Sequence, residues 1–392
     1  MADAVLAFNA GSSSIKFGLF EVEKGAALRL MCQGRIEGVG GAAHFTATDA
    51  AGALLEDQQW RGEDAVFDTM LGALLAWAEG HVRPDNVVAV GHRVVHGGAH
   101  FIAPVRVSGD IMRQLSALTP LAPLHQPHSL APIRALMRLR PGLVQVACFD
   151  TAFHHTMLPV AQLLALPQAY AAEGVRRYGF HGLSYEYIAR TLHQAAPGLA
   201  AGRVVVAHLG NGASLCAMRN GRSVDTTMSF TALDGLVMGT RCGTLDTGVV
   251  LYMLQQKGLS PRDVEQVLYE QSGLLGVSGI SSDMRVLLQS NAPQACAAVE
   301  LFAFRIGQQA AMMAAALEGL DGFLFTGGIG EHAVAVRAMV CARLSWLGVS
   351  LDAAANKRGV GLISDVDSRV AVWVMATDEA VMIAEHTLGV LQ

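Results

Sequence analysis

Seven charged side chains fall where a folded chain can do chemistry: Arg93, Asp150, His181, Arg241, Asp283, Arg285 and Glu379, at predicted strand ends, in Gly-rich loops or at a helix start. Singly, each has an ordinary reading. An Arg or Asp at a strand end makes a surface ion pair, His181 is a satisfied turn histidine, and Glu379 suits the positive end of a helix dipole. Together they are the ingredients of phosphoryl transfer. That reaction needs positive charge on the equatorial oxygens of the moving group, which arginines and a histidine supply. It also needs a divalent cation held by one or two carboxylates, with substrate phosphates completing the shell. A well-placed arginine contributes ~10³–10⁵ in rate.

Such groups need a lining for phosphate, and three stretches offer one. In VLAFNAGSSSIKFGLFEV, the apolar runs Val5–Phe8 and Ile15–Val22 predict two strands around the turn Asn9–Ser14. Backbone N–H groups, hydroxyls and Lys16 can there donate to phosphate without bulk in the way. The plan repeats about half a chain later. The strand Val204–Ala207 runs into His208-Leu209-Gly210-Asn211-Gly212-Ala213-Ser214, then a second strand and an Asn220-Gly221 hairpin turn. A third Gly-rich turn, Gly327–Glu331, follows the strand Phe323–Thr326. None is a Walker loop, and the glycines from Gly38 lack the strand-to-helix setting of a dinucleotide fingerprint. Two strand–turn–strand units point to an internal duplication.

The elements that must carry these groups follow from composition and periodicity. With 392 residues, 52% of them apolar and 16% charged, the chain is expected to form two domains with substantial cores. A net charge of −5 speaks against general nucleic-acid or membrane-surface binding. Six cysteines without a CxxC pair, and no signal-peptide pattern, read as the reduced thiols of a cytoplasmic protein. No apolar run approaches the ~18 residues that span a bilayer.

Along the chain, Met31–Thr48 predicts further strands of a meander and Glu63–Glu79 a helix, with Val66, Met70, Leu74 and Trp77 at helical spacing. The apolar strand Asn86–Val95 places His92 and Arg93 at its end, where open α/β sheets bind ligands. The four prolines of Thr119–Pro132 predict a rigid loop before a helix to about Arg138. Leu143–Phe149 is a buried strand ending in Asp150. A helix Ser184–Ala195 follows RRYGFHGL, Phe230–Thr247 is a long loop, and helices are expected at Gly248–Lys257, Pro261–Gln271, Ala292–Glu318 and His332–Trp346. Val370–Met375 is a last strand, before a helix capped by Thr377-Asp378-Glu379.

Eight ordered stretches carry a resemblance: NAGSSSIKF at Asn9, GHRVVHGG at Gly91, FDTAFH at Phe149, RYGFHGLS at Arg177, HLGNGASL at His208, MGTRCG at Met238, FTGGIGE at Phe325 and TDEA at Thr377. From end to end the chain resembles the acetate kinase family, within the superfamily of acetate and sugar kinases and actin-like ATPases. The resemblance implies two duplicated α/β domains of actin-like (ribonuclease H-like) type, with mixed sheets, flanking helices and an interdomain nucleotide cleft. The N-terminal domain would comprise residues 1–150 plus 376–392, and the C-terminal domain residues 151–375.

It implies reversible transfer of a phosphoryl group from ATP to acetate by direct in-line attack, with Mg²⁺, or Mn²⁺ in its place. Asn9 and Glu379 would lie at the metal, Ser12 and Ser14 at phosphate, and Lys16 on the nucleotide near its phosphates. Asp150, His181, Arg241 and Arg93 would be catalytic, Arg93 also meeting the substrate carboxylate. His208, Leu209, Gly210, Asn211 and Gly212 would line the ATP phosphates. Asp283, Met284 and Arg285, with Gly328, Ile329, Gly330, Glu331 and His332, would hold the adenosine. Val95, Leu124, Phe180 and Ala232 would wall a small acyl pocket. A homodimer is implied as well.

A carboxylate is already nucleophilic at neutral pH, so the difficulty is bringing two anions together. Asp150 is therefore expected to orient or to act electrostatically and not as a literal base. The chain departs from the family pattern at Ala232 (a proline), Tyr185 (a histidine), Cys242, Thr244 and Thr247 (RSGDxDP), His332 (an asparagine) and Ala380 (a second glutamate). Ala232 raises the alternative of a propionate or other short-chain acyl kinase. A second alternative, a non-catalytic nucleotide sensor, would be expected to lose Arg93, His181 and Arg241, which are all present.

Overall fold

A computed structural model describes residues 3–11, 14–25, 27–38, 42–61, 66–81 and 87–392. The chain divides into two compact units, Met1–Ala152 with Asp378–Gln392, and Phe153–Thr377.

The first unit is built on an eight-stranded sheet. β1 (Ala4–Ala10), β2 (Ser14–Val22), β3 (Leu28–Glu37), β4 (Ala43–Asp49) and β5 (Leu54–Trp60) form an antiparallel meander. β6 (Val87–Val94) adds parallel to β1, β8 (Val144–Phe149) parallel to β6, and β7 (Val105–Arg106) antiparallel to β8. The order is β5-β4-β3-β2-β1-β6-β8-β7. β1 is apolar at every position but Asn9, and β6 is buried at most positions, as strands covered on both faces must be. The helix Phe67–His81 buries Met70, Leu71, Leu74 and Leu75 in the core that holds Leu6, Phe8, Phe17 and Phe45.

The C-terminal helix Glu379–Leu391 packs on β1, β6 and β8. Its approach depends on Gly91, where a Cβ atom would lie 2.1 Å from Thr387 Oγ1 and 2.6 Å from Ile383 Cγ2. Only a residue without a side chain lets the helix sit this close, and that closeness delivers Glu379 to the end of β1.

The second unit repeats the plan. β9 (Arg203–Leu209), β10 (Ala213–Arg219) and β11 (Arg222–Thr226) are antiparallel, and β12 (Gly322–Thr326) and β14 (Ala371–Val374) continue the sheet in parallel. β13 (Gly361–Leu362) closes it, in the order β11-β10-β9-β12-β14-β13. The series β3-β2-β1-β6-β8 and β11-β10-β9-β12-β14 have the same order and the same strand directions. That is the internal duplication, seen as topology.

Several expectations change. The stretch Thr119–Pro132 is only partly loop: a 3₁₀ turn covers Thr119–Leu121, and the helix starts at Gln126. Pro127 sits in the first turn, where a missing N–H costs nothing, and Pro132 is absorbed inside the helix. The third Gly-rich turn is itself a short helix, Gly327–His332, which begins directly at the end of β12. The single helix expected from His332 to Trp346 is therefore Val334–Arg343 followed by a 3₁₀ turn at Ser345–Leu347. The meander also has a fifth strand, β5, whose polar sequence LLEDQQW hid it. The start of the helix expected from Glu63 and the start of the strand expected from Asn86 lie outside the described residues, as does Ser12.

Candidate active site

In the first unit, four of the expected residues are joined by hydrogen bonds although they come from four separate elements. Asn9 is near the end of β1, Arg93 is near the end of β6, Asp150 follows β8 directly, and Glu379 opens the C-terminal helix. Asn9 Nδ2 donates to Glu379 Oε2 at 2.6 Å, and Arg93 Nη1 donates to Asn9 Oδ1 at 3.3 Å. Arg93 Nε donates to Asp150 Oδ2 at 2.9 Å, and its Nη2 bonds the same oxygen. Asp150 is fully buried. Burial works against the charge on Arg93, but the carboxylates of Asp150 and Glu379 outweigh it and hold the guanidinium above its ordinary pKa. This is a guanidinium that stays charged, with Nη1 turned toward Asn9.

The local structure explains the placement. Asp378 caps the C-terminal helix by accepting from Val381 N, so Glu379 sits in the first turn beside unpaired N–H groups. The segment after β6 is pinned from inside: Gly97 N donates to Thr151 Oγ1 at 3.0 Å, and Gln126 Nε2 donates to the carbonyl of His96 at 3.1 Å. Lys16 is the exposed register partner of Asn9 across the β1–β2 hairpin, and Ser14 opens β2. Val95 is buried, and Leu124 is half-buried in the turn before the Gln126 helix.

In the second unit the convergence is around Gly212. A Cβ atom at this position would lie 3.2 Å from His181 Nε2 and 3.9 Å from Arg241 Nη1, so both side chains reach one point on the turn after β9. His181 has a left-handed backbone (φ 60°) just before the helix Gly182–Ala195. Its ring stacks on that of His208, with centroids 4.3 Å apart. His181 Nδ1 bonds Ser214 Oγ at 2.8 Å, and His208 Nδ1 bonds Ser184 Oγ at 2.8 Å. Arg241 Nη1 donates to the carbonyl of Ala232 at 3.0 Å.

The turn Gly210-Asn211-Gly212 closes through Gly210 N donating to the carbonyl of Gly212 at 3.0 Å. Gly239 N donates to the carbonyl of Asn211 at 3.0 Å. A Cβ on Gly239 would meet Asn211 Oδ1 at 1.9 Å and Ser282 Cβ at 3.4 Å, so three distant segments are in contact here. Asp283 caps the short helix Met284–Gln289 and pairs with Arg285 at 2.6 Å, which holds the Asp283 carboxyl below its usual range. Met284 is buried in the unit's interior, so its side chain supports the segment from within. Glu331 Oε1 accepts from the N–H groups of Gly327 at 3.0 Å and Thr377 at 3.4 Å, while Gly328 and His332 are exposed and Ile329 is half-buried. Leu209, Gly330 and Phe180 are buried.

Two supporting residues were not singled out from the sequence. His154 Nε2 donates to the carbonyl of Phe180 at 2.9 Å and its Nδ1 bonds Ser223 Oγ at 2.8 Å, which pins the backbone just before His181. Burial drives its pKa down to about 4, so it stays neutral there. Fully buried Arg337 donates to the carbonyls of Gly330 at 2.9 Å and Glu331 at 2.8 Å and to both Asn356 oxygens, tying down the end of the helix Gly327–His332. His154 belongs to the stretch FDTAFH and could have been found there. Arg337 looks like any helix-face arginine in sequence.

No helix among the described residues is long and apolar enough to cross a membrane. None of the six cysteines forms a disulfide.

Comparison with known proteins places these features in a lineage. The profile of the acetokinase family matches residues 4–385. An acetate kinase from Rhodopseudomonas palustris (strain TIE-1) is 53% identical over 98% of this chain and 98% of its own. Among solved structures, a propionate kinase from Francisella tularensis superposes with a TM-score of 0.91 at 33% identity, covering 99% of each chain. An acetate kinase from Porphyromonas gingivalis superposes with a TM-score of 0.88 at 34% identity, covering 100% of each chain. The two mixed sheets with their flanking helices are the actin-like ATPase fold of these kinases. Because the profile match takes in both repeats of the fold and every hydrogen-bonded group around Arg93 and His181, the chain is a member of the acetokinase family.

Proposed function

We propose that the protein is an acetate kinase that transfers the γ-phosphoryl group of ATP to acetate, giving acetyl phosphate and ADP, reversibly and by direct in-line attack. The observation that carries this reading is the convergence of His181 and Arg241 on Gly212, in a chain with a full-length acetate kinase relative at 53% identity. A phosphoryl group at such a turn would meet backbone N–H groups, an imidazole and a guanidinium, the donors that a loose, charge-spread transition state requires.

An acetate oxygen attacks the γ-phosphorus while the bond to the β-phosphate oxygen breaks, and the electron pair leaves with ADP. No proton moves, because acetate is already ionised. Asp150 therefore has no proton to take. Its role is to hold Arg93 through two hydrogen bonds to Oδ2, so that the guanidinium faces the substrate carboxylate. His181 and Arg241 stabilise charge on the transferred group. The first unit carries the metal-side residues and Arg93, and the second carries His181, Arg241 and the nucleotide loops.

The oxygens of Asn9 and Glu379 suit Mg²⁺ or Mn²⁺: they are hard donors, and a magnesium ion needs only one or two carboxylates when substrate phosphates complete its shell. Among the described residues no group of three or more His, Cys, Asp or Glu side chains forms an all-protein cage, which accords with that shared mode of binding. The metal would neutralise charge on the phosphates. Ser14, Lys16 and, by the family pattern, Ser12 complete the phosphate side. In the first unit Val95 and Leu124 are the acyl-side residues; in the second, Asp283–Arg285 and Gly328–His332 receive the adenosine, and Phe180 and Ala232 are the acyl-side residues.

A cytoplasmic homodimer completes the proposal. The helix Thr247–Gln255 (TGVVLYMLQ) has no buried residue and exposes Leu251 and Tyr252, an apolar surface that a second copy would cover. Acyl phosphate trapped with hydroxylamine, in the presence of ATP and Mg²⁺, tests the central claim. Acetate should exceed propionate in kcat/KM by about tenfold or more, the value of one methylene in a small apolar pocket. Propionate equal to or better than acetate would overturn the acyl assignment, and turnover with neither acid would overturn the kinase.

A further inference from the structure

The family resemblance expects a histidine where this chain has Tyr185, and the structure shows where that phenol goes. Tyr185 lies one turn into the helix that His181 begins and is completely buried. Its hydroxyl bonds Ser214 Oγ at 2.5 Å, and the same Ser214 oxygen lies 2.8 Å from His181 Nδ1. Ser214 is also fully buried, on β10 opposite His208. Tyr185, Ser214 and His181 therefore form a line that ends at an imidazole whose other nitrogen, Nε2, faces the Gly212 turn beside Arg241.

We propose that Tyr185 is a positioning residue that acts through Ser214 to keep the proton of neutral His181 on Nε2, where it can be donated to the transferred phosphoryl group. The inference rests on the acetate kinase reading for its consequence, but its geometry stands without it.

The argument is proton bookkeeping. A serine hydroxyl has one proton to give. If Tyr185 donates to Ser214, the serine proton is free to go to His181 Nδ1, and the ring must carry its own proton on Nε2. In the opposite order, His181 Nδ1–H donates to Ser214, Ser214 donates to the phenol, and Nε2 presents a lone pair to an anionic group. The first order makes a phosphate donor and the second makes a repulsive contact. The first order is the one a protonated phenol supports: burial raises the Tyr185 pKa well above its ordinary value, so the hydroxyl keeps a proton that it can give to Ser214 Oγ, 2.5 Å away. The stacked neighbour follows the same pattern, since Ser184 Oγ meets His208 Nδ1 and leaves His208 Nε2 on the side of Gly210.

Nitrogen-15 spectra of the histidine rings, with His181 assigned from its loss in His181→Gln, read the tautomer directly in the whole protein. Wild type should show the Nε2–H form with Nδ1 as acceptor. Tyr185→Phe, which keeps the ring and removes only the hydroxyl, should raise the Nδ1–H population. It should lower kcat by about tenfold or more while KM for acetate and for ATP stays within about twofold, the signature of a contact made in the transition state. Ser214→Ala cuts the line one atom later and should do the same, so poor folding of one variant leaves the other. An Nδ1–H ring in wild type, or an unchanged tautomer in both variants, overturns the proposal. The expected tautomer in a protein that phosphorylates neither acid would leave the relay standing and remove the kinase reading.

Discussion

Removing Arg93 while leaving Asp150 takes the guanidinium from a carboxylate that has no access to water. Asp150 is fully buried, and two of the hydrogen bonds to its Oδ2 come from Arg93, whose side chain is 22% exposed. Breaking a buried pair by deleting one partner costs about 3–5 kcal/mol, because the survivor keeps its desolvation penalty and loses its compensation. Arg93→Met keeps much of the aliphatic stem, so packing changes little and the loss falls on the charge. The expected shift is about two to four decades in the folding equilibrium of the first unit.

The double variant Arg93→Met/Asp150→Asn should recover much of the loss, since a neutral amide costs less to bury than a lone carboxylate. Urea titration followed by tryptophan fluorescence measures this. Trp60 and Trp77 lie in or against the core of the first unit, and replacing Trp346 and Trp373 by Phe silences the second, whose separate melting would otherwise break a two-state analysis. A cost below about 1 kcal/mol, or a double variant no more stable than the single, would refute the idea that Asp150 exists to hold a charged Arg93.

Two other perturbations probe the second unit. Gly239→Ala would place a methyl group 1.9 Å from Asn211 Oδ1, so Asn211 must leave its position; KM for ATP should rise several-fold for an overpacking cost of about 1–3 kcal/mol, and an unchanged KM would dissociate Asn211 from the nucleotide. His154 is held neutral at a pKa of about 4, against an ordinary 6.5. The unfolded chain therefore binds the extra proton first, and stability present above pH 6.5 is lost as the pH falls toward 4, by roughly 3 kcal/mol for this group. His154→Gln should flatten that acid limb in thermal melts at stepped pH, and an unaltered limb would remove His154 from the account.

Much of the fold could be read from local pattern. β-branched runs ending in Asn-Gly or Gly-Ser turns mark the two hairpins, and their repetition marks the duplication that the matching strand orders display. Elements failed where local chemistry was ambiguous: prolines disguised the start of the helix at Gln126, and three glycines after β12 disguised a helix as a turn. Arg93, Asp150, His181 and Arg241 each have an ordinary reading singly, and it was their occurrence together beside three Gly-rich turns and family-like motifs that made them candidates.

Their partnerships were not recognisable. Nothing in the chain order says that Asn9, Arg93, Asp150 and Glu379 are bonded in a row, because those contacts span up to 370 positions and depend on a helix lying against β6 at a glycine. Residue types and turn chemistry, set by near neighbours, were determined by the sequence itself. The line from Tyr185 through Ser214 to His181, the orientation of Arg93 and the buried ties from His154 and Arg337 were decided only by tertiary structure, since hydrogen bonds and desolvation act through space and carry no local signature.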